Sequence, residues 1–210
     1  GRLVDDALDV LQEETTEDFE KMAAITPTDR PYLKKSVLEI WRSRIPWLLL
    51  LMISATFTGM IISHFEDALK TYVLLTAYIP MLMDTGGNSG SQASVTIIRG
   101  LSLNELEFRD LFRVVWKEFQ VAILAGVTLA VFNFIKLIVV DQVSLLLALV
   151  ICLTLMLTVF VAKLAGCTLP MLAQKAGFDP AVMASPFITT IVDALSLLIY
   201  FRIATVLLGL

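Results

Sequence analysis

The run Leu145-Leu146-Leu147-Ala148-Leu149-Val150-Ile151-Cys152-Leu153-Thr154-Leu155-Met156-Leu157-Thr158-Val159-Phe160-Val161-Ala162 holds eighteen residues and not one charge. A helix needs roughly 20 mostly apolar residues to cross the hydrocarbon core of a bilayer. The apolar stretch around this run extends from Val143 to Ala173, past that length. Four more stretches qualify: about Ile45 to Ser63, Ala68 to Ile98, Phe119 to Val140 and Val182 to Leu210. The pattern predicts an all-α membrane protein with five transmembrane helices. The second, fourth and fifth stretches exceed the minimum, so they tilt, break or extend beyond the core. Composition agrees. The chain of 210 residues is 57% hydrophobic with mean hydropathy +0.80, which leaves too little polar surface for a soluble domain.

Charge is concentrated at one end. The first 45 residues carry 7 of the 16 Lys+Arg and 10 of the 20 Asp+Glu. Arg30, Lys34, Lys35, Arg42 and Arg44 precede the first span. Arg99, Arg109, Arg113 and Lys117 lie between the second and third, and Lys175 between the fourth and fifth. The opposite side has Lys70, Lys136 and Arg202. Basic residues favour the cytoplasmic face, so the N-terminus is expected in the cytoplasm and the C-terminus outside, in a multi-pass protein of the cell membrane.

Leu3 to Glu14 has an acidic helical pattern with Ala7, Val10 and Leu11 on one face. It lacks a basic n-region and an apolar h-region, so no secretory signal peptide is expected there. Thr16 suits the N-cap of a following helix bearing Phe19, Met22 and Ala23, which Pro27 and Pro31 would end. This segment is too polar to span and too small to fold alone, so it reads as a cytoplasmic arm. Lys34 to Arg44 reads as a helix entering the membrane, with Trp41 and Trp47 at the interface belt. Asn104 to Lys117 is amphipathic and is expected along the cytoplasmic surface. Cys152 and Cys167 lie within one apolar stretch and read as small buried hydrophobes. His64, the sole histidine, reads as a solvated loop residue.

Few residues ionise inside the spans: Asp84, Lys163, Asp193 and, near the C-terminal end, Arg202. Such residues are costly in a bilayer and default to function. Helical rise places Asp84 roughly 18 Å beyond Tyr72 and Asp193 roughly 16 Å beyond Val182. The two spans run in opposite directions, so both carboxylates fall near the midplane and suggest one shared site. Around Asp84 the sequence reads Met83-Asp84-Thr85-Gly86-Gly87-Asn88-Ser89-Gly90-Ser91-Gln92. Three glycines and so many polar groups argue against a regular helix there. Irregular backbone at this depth is tolerated where it lines a wet cavity, and its carbonyls then face a cation. The competing reading is close helix packing by small residues.

Thr189 and Thr190 precede Asp193 by four and three residues, so they share its helical face. Pro186 removes a backbone donor nearby, which is expected to free a carbonyl. Oxygen donors without imidazole or thiolate point to a hard cation: Mg²⁺, or Ca²⁺ or Mn²⁺ as competitors. The candidate metal-binding residues are Asp193, Asp84, Gly87, Asn88, Ser91, Ser185 and Thr189, with Asp179 as a cytoplasmic-side candidate. Lys163 is expected to snorkel or to pair with an acid. No catalytic residue is assigned. An intramembrane aspartyl protease would use Asp84 and Asp193 as a dyad, but the Gly-x-Gly-Asp form expected there is absent. A proton-coupled carrier would need a relay, and no chain of ionisable groups is visible.

At these residues the chain resembles the MgtE family of Mg²⁺ channels and transporters. Gly86-Gly87-Asn88-Ser89-Gly90-Ser91-Gln92 followed by Ile97-Ile98-Arg99 is similar to the family's second-helix signature. Asp179-Pro180-Ala181, Ser185-Pro186 and Thr190-Ile191-Val192-Asp193 are similar to its fifth-helix signature. The resemblance implies a homodimer with its pore at or near the dimer axis. It implies that Asp193 binds hydrated Mg²⁺, helped by backbone oxygens around Gly87, and that the ion moves into the cytoplasm down its electrochemical gradient. It further implies that Glu14 to Arg30 is like the family's plug helix. Residues 1–14 would then be the remnant of an upstream cytoplasmic CBS-like sensor region, residues 15–44 a plug and connecting segment, and residues 45–210 the pore domain. The partners implied are a second copy, membrane lipid and the upstream sensor domains, with no nucleic acid. Asp84 stands where some members have glycine, and Ser91 and Ser185 where some have asparagine.

Overall fold

The computed structural model describes residues 2–27 and 31–209, with the side chains of 2–9, 12, 68 and 185 outside that description. Within it the chain is helical, and no strand occurs among the described residues. Seven α-helices follow in order: α1 (Arg2–Met22), α2 (Val37–His64), α3 (Glu66–Thr71), α4 (Leu74–Ser102), α5 (Leu111–Val139), α6 (Leu145–Lys175) and α7 (Ser185–Leu208). Four of them, α2, α5, α6 and α7, are long and apolar enough to cross a membrane. Helix α4 has comparable length, 29 residues, but the polar groups in its middle keep it out of that class by composition.

The arm differs from its expected form. Residues 2–22 form one continuous helix, so Thr16 lies inside it and does not cap it. The neighbouring Thr15 hydroxyl donates to the Leu11 carbonyl in the same helix, 2.6 Å away, which satisfies it without a helix end. Ala24, at φ 54°, turns the chain out of the helix. The Thr26 amide then donates to the Ser43 carbonyl at 2.9 Å, tying the arm to the start of α2. Arg30 lies outside the described residues. Helix α2 opens with a capping box: the Ser36 hydroxyl accepts from the Glu39 amide, and the Glu39 carboxylate accepts from the Ser36 amide. The amphipathic surface segment expected over Asn104 to Lys117 is shorter than foreseen. Residues 111–117 are the first two turns of α5, and only 103–110 form the connection.

Helix α6 is the centre of the bundle. Its buried face includes Val150, Ile151, Leu155 and Val159, and α4, α5 and α7 pack around it. Helix α2 packs mainly on α7 and buries little of itself. At one end the Tyr200 hydroxyl donates to the Leu75 carbonyl at 2.9 Å. The Tyr78 hydroxyl donates to Asp141 at 3.0 Å, and Lys136 donates to the same carboxylate at 2.6 Å. These bonds fasten α7 and the α5–α6 turn to the start of α4. Both cysteines are free and buried. His64 is exposed as the last residue of α2, its ring edge-on to Phe65.

The expected break at the glycine-rich stretch is not there. Helix α4 is continuous from Leu74 to Ser102. The reason lies in which face the glycines occupy. A Cβ on Gly86 would come within 2.6 Å of the Thr158 methyl of α6 and 2.9 Å of Val192 of α7. One on Gly90 would meet Ile188 of α7 at 2.8 Å and the Ala162 carbonyl of α6 at 3.2 Å. One on Gly166 of α6 would fall on the Gly90 carbonyl oxygen itself. The glycines therefore mark where three helix backbones meet, and intact helical hydrogen bonding spares the apolar interior any unpaired amide or carbonyl. Three polar residues of the stretch lie on the other face, while Ser89 is buried with the glycines. Asp84, Asn88 and Gln92, at i, i+4 and i+8, are all exposed in the single chain.

Lys163 pairs with an acid, and that acid is Glu118 of α5, 3.8 Å away. Lys163 is 6% exposed, so it does not snorkel.

Candidate cation site

The site is built on two helices. Helix α4 brings Asp84, Gly87, Asn88 and Ser91, and α7 brings Thr189 and Asp193. They touch at Gly87, where an added Cβ would lie 2.9 Å from the Thr189 methyl. One turn further along α4, the Ser91 and Thr189 hydroxyl oxygens stand 3.5 Å apart. Gly87 is thus the point that lets an oxygen-bearing face of α7 approach an oxygen-bearing face of α4.

The carboxylates lie at the same crossing. Asp84 lies three residues before Gly87 and Asp193 four residues after Thr189, and no hydrogen bond joins the two carboxylates among the described residues. Asp193 is half-buried, and its Oδ1 is enclosed with no hydrogen-bond partner. A carboxylate oxygen out of contact with bulk water is costly unless a donor or a cation satisfies it. Lys163 does not serve that role, because it is committed to Glu118. Among the described residues no three His, Cys, Asp or Glu side chains converge as a metal cage. Two carboxylates with hydroxyls and one amide suit an ion that keeps most of its own water, and Mg²⁺ sheds water reluctantly.

Two expected contributions change. Pro186 lies in the first turn of α7, where its missing N–H would have had no helical partner in any case, so it frees no carbonyl. Its own carbonyl accepts the Thr190 hydroxyl at 2.9 Å, which occupies that side chain. The Gly87 carbonyl belongs to an unbroken helix and is engaged in its ladder. The side chain of Ser185 lies outside the described residues. Ser94 is a contributor that sequence reasoning missed. Wholly buried, it donates to the Met183 carbonyl at 2.7 Å and anchors the turn Pro180–Met183 ahead of α7 to α4. Its place four residues after Gly90, on the packed face, is the signal that marks it.

Asp179 stands apart from this crossing, ahead of the same turn. One carboxylate oxygen accepts the Ala181 amide at 2.9 Å, and the other accepts Lys21 of α1 at 2.6 Å. Lys21 also pairs with Glu17 at 2.6 Å. Met22 packs against Ile98, Ala181 and Ala184. The end of α1 thereby sits over the end of α4 and the entry to α7, and Asp179 holds an ammonium group.

This clamp is pH-sensitive. Burial pushes the Asp179 carboxyl up, but the Lys21 hydrogen bond, the Ala181 amide and the Lys21 charge together outweigh it and hold the group below its ordinary value. Lys21 is raised, chiefly by its hydrogen bonds to Asp179 and Glu17. A lowered acid contributes stability above its ordinary pKa, about 4, and loses it as pH falls through the folded value. A raised lysine contributes below its ordinary pKa, about 10.4, and loses it as pH rises through the folded value. The docked arm is therefore expected to hold across neutral pH and to loosen at both extremes. Amide hydrogen exchange of residues 17–22 checks this: protection at neutral pH should fall on acidification below the carboxylate range. An unchanged profile in a chain that is otherwise folded would contradict the clamp.

The comparisons with known proteins bear on this site. The family model described as MgtE, divalent cation transporter, matches residues 79–203. A Thermus thermophilus protein named magnesium transporter MgtE is 40% identical over 213 residues, covering 99% of this chain and 47% of its own length. A Bacillus subtilis protein of the same name is 40% identical, covering 96% of this chain and 44% of its own length. One from Enterococcus faecalis is 34% identical, with 96% and 44% covered. The chain spans about half the length of the curated relatives it matches.

Proposed function

The chain belongs to the MgtE family of divalent cation transporters, and from that premise we propose that it forms the membrane pore of a Mg²⁺ channel. Hydrated Mg²⁺ enters the cytoplasm between two copies of the chain, with Asp193 of each attracting it and Asp84, Asn88, Ser91 and Thr189 contacting its water shell. One observation carries this reading. Asp84, Asn88 and Gln92 form an exposed polar stripe midway along a 29-residue helix inside an apolar bundle. Such a stripe cannot face lipid without a large cost, so α4 crosses the membrane with that face toward water or another subunit. A second copy across the same face encloses an aqueous path.

The driving force is the membrane potential. Each elementary charge gains about 2.3 kcal/mol per 100 mV, so a divalent ion gains roughly twice that, without any proton relay. The arm would sit at the cytoplasmic mouth and connect to sensor domains upstream. Family membership sets aside the aspartyl protease reading.

The test is ion flux in proteoliposomes holding the purified chain. Mg²⁺ uptake is expected to follow an imposed potential, to persist without a proton gradient and to appear as unitary currents in planar bilayers. Ca²⁺ and Mn²⁺ serve as competitors for the site. Uptake no greater than that of empty liposomes, or uptake abolished by collapsing a proton gradient alone, would overturn the proposal.

A further inference from the structure

Away from the α4–α7 crossing, α2 and α7 flank an open slot with a cavity volume of about 100 Å³. Its walls are Trp47, Leu51 and Ser54 from α2 and Phe187, Thr190 and Ile191 from α7. They are almost wholly apolar, since the Thr190 hydroxyl is turned back onto the Pro186 carbonyl. Helix α2 packs chiefly on α7, and much of its remaining surface is apolar and exposed, as at Leu48, Met52 and Phe57. The slot is thus a groove in a surface that lies in the bilayer.

One end of it is basic. Arg44, Trp47, Leu51 and Ser54 are spaced i, i+3, i+7 and i+10, so they share one stripe of α2. Arg44 lies one turn before the first lining residue, whereas Arg42, two residues earlier, falls on another side of the helix. Both are exposed, and neither forms an ion pair among the described residues. Lys34 is likewise exposed and unpaired, whereas Lys35 is held by Glu20 at 3.3 Å. From Arg44 to Ser54 the stripe runs roughly 15 Å, about the reach of one acyl chain through a single leaflet. A cationic head position, a tryptophan at interface depth and an apolar slot below them match the three parts of one ligand class.

We propose that this slot binds an anionic phospholipid of the cytoplasmic leaflet, its phosphate on Arg44 and one acyl chain between α2 and α7. The lipid completes packing that the protein leaves open and braces α2 against the helix that carries Asp193. The site stands on the membrane-spanning character of the chain and not on the ion that the pore carries.

Native mass spectrometry of the purified full chain tests it, after equilibration with phosphatidylglycerol or phosphatidylcholine of identical acyl chains. Phosphatidylglycerol is expected to be retained as one tightly held molecule per chain, in preference to phosphatidylcholine. Arg44→Ala, an exposed change that leaves the slot intact, should cut that preference about fivefold. Ser54→Trp, which fills the slot, should abolish retention of either lipid. Equal retention of the two lipids by the unmodified chain would overturn the proposal, as would undiminished retention in both variants. So would efficient disulfide cross-linking of Ser54→Cys between copies in vesicles, which would assign the slot to a second copy of the chain.

Discussion

Asp193→Ala is expected to abolish divalent cation flux while leaving the chain folded. A divalent ion roughly 5 Å from a carboxylate gains about 6 kcal/mol at an effective dielectric of about 20. Water in the path reduces that gain, yet half of it still corresponds to roughly a hundredfold in occupancy. No other carboxylate replaces it. Asp84 lies on an exposed face with more solvent to screen it, and Glu118 and Asp179 are committed to Lys163 and Lys21. Asp193→Asn keeps the shape and an oxygen but loses the charge, so a smaller loss is expected there. Asp84→Ala should reduce flux less than Asp193→Ala. The measurement is Mg²⁺ uptake into proteoliposomes at matched protein incorporation, with size-exclusion elution and melting temperature as folding controls. Removal of an enclosed carboxylate with no partner should, if anything, stabilise the chain. Unaltered flux in well-folded Asp193→Ala would remove the basis for placing the pathway at this crossing.

Gly166→Val should be the most destabilising single change in the bundle. Even the first carbon of a side chain at Gly166 would fall on the Gly90 carbonyl oxygen and press on Ala93 at 3.1 Å. Backbone cannot rotate out of the way as a side chain does, so α4 and α6 would have to separate. Overpacking that side chains can absorb costs about 1–3 kcal/mol; a main-chain collision at the bundle centre should exceed about 3 kcal/mol. Gly166→Ala is expected to show a milder form of the same loss. Gly59 provides the contrast. It lies within α2, nothing stands within 4 Å of its virtual Cβ, and Gly59→Ala should be neutral or stabilise by up to about 1 kcal/mol. Melting followed by tryptophan fluorescence or by loss of the monodisperse elution peak distinguishes them. If Gly166→Ala and Gly59→Ala melt alike, the α4–α6 contact is looser than described.

Much of this was legible in residue order, and the exceptions are instructive. Four of the five long apolar stretches reappear as helices apolar enough to cross a membrane, α2, α5, α6 and α7, because length and hydrophobicity constrain a chain in lipid more tightly than in water; the second overlaps α4, which its mid-helix polar groups set apart. Counting helical rise brought Asp84 and Asp193 to similar depth, and their helices do meet at Gly87 and Thr189. The stretch 83–92 misled because composition was read without faces. Small residues on one side and polar ones on the other suit an unbroken helix between a packed core and an exposed stripe. Glu118 escaped notice because it sits just before the apolar run that opens at Phe119, and nothing in sequence pairs it with Lys163. Lys21 lies 158 residues from Asp179, and a basic residue in an acidic arm gives no hint of its partner. Periodicity reports what one helix presents; it says nothing of which other element receives it.

The sparse packing of α2 bears on how the chain is made. Its chief neighbour, α7, follows residues 65–184, a gap of 120 residues. At roughly 5–20 residues per second of synthesis, that interval lasts about 6–24 s. For that time α2 stands in the nascent bilayer with no helix to lean on, held by its own hydrophobicity and by the arginines at its start. Its insertion is therefore decided before its packing exists, and the ribosome delivers the partner only afterwards.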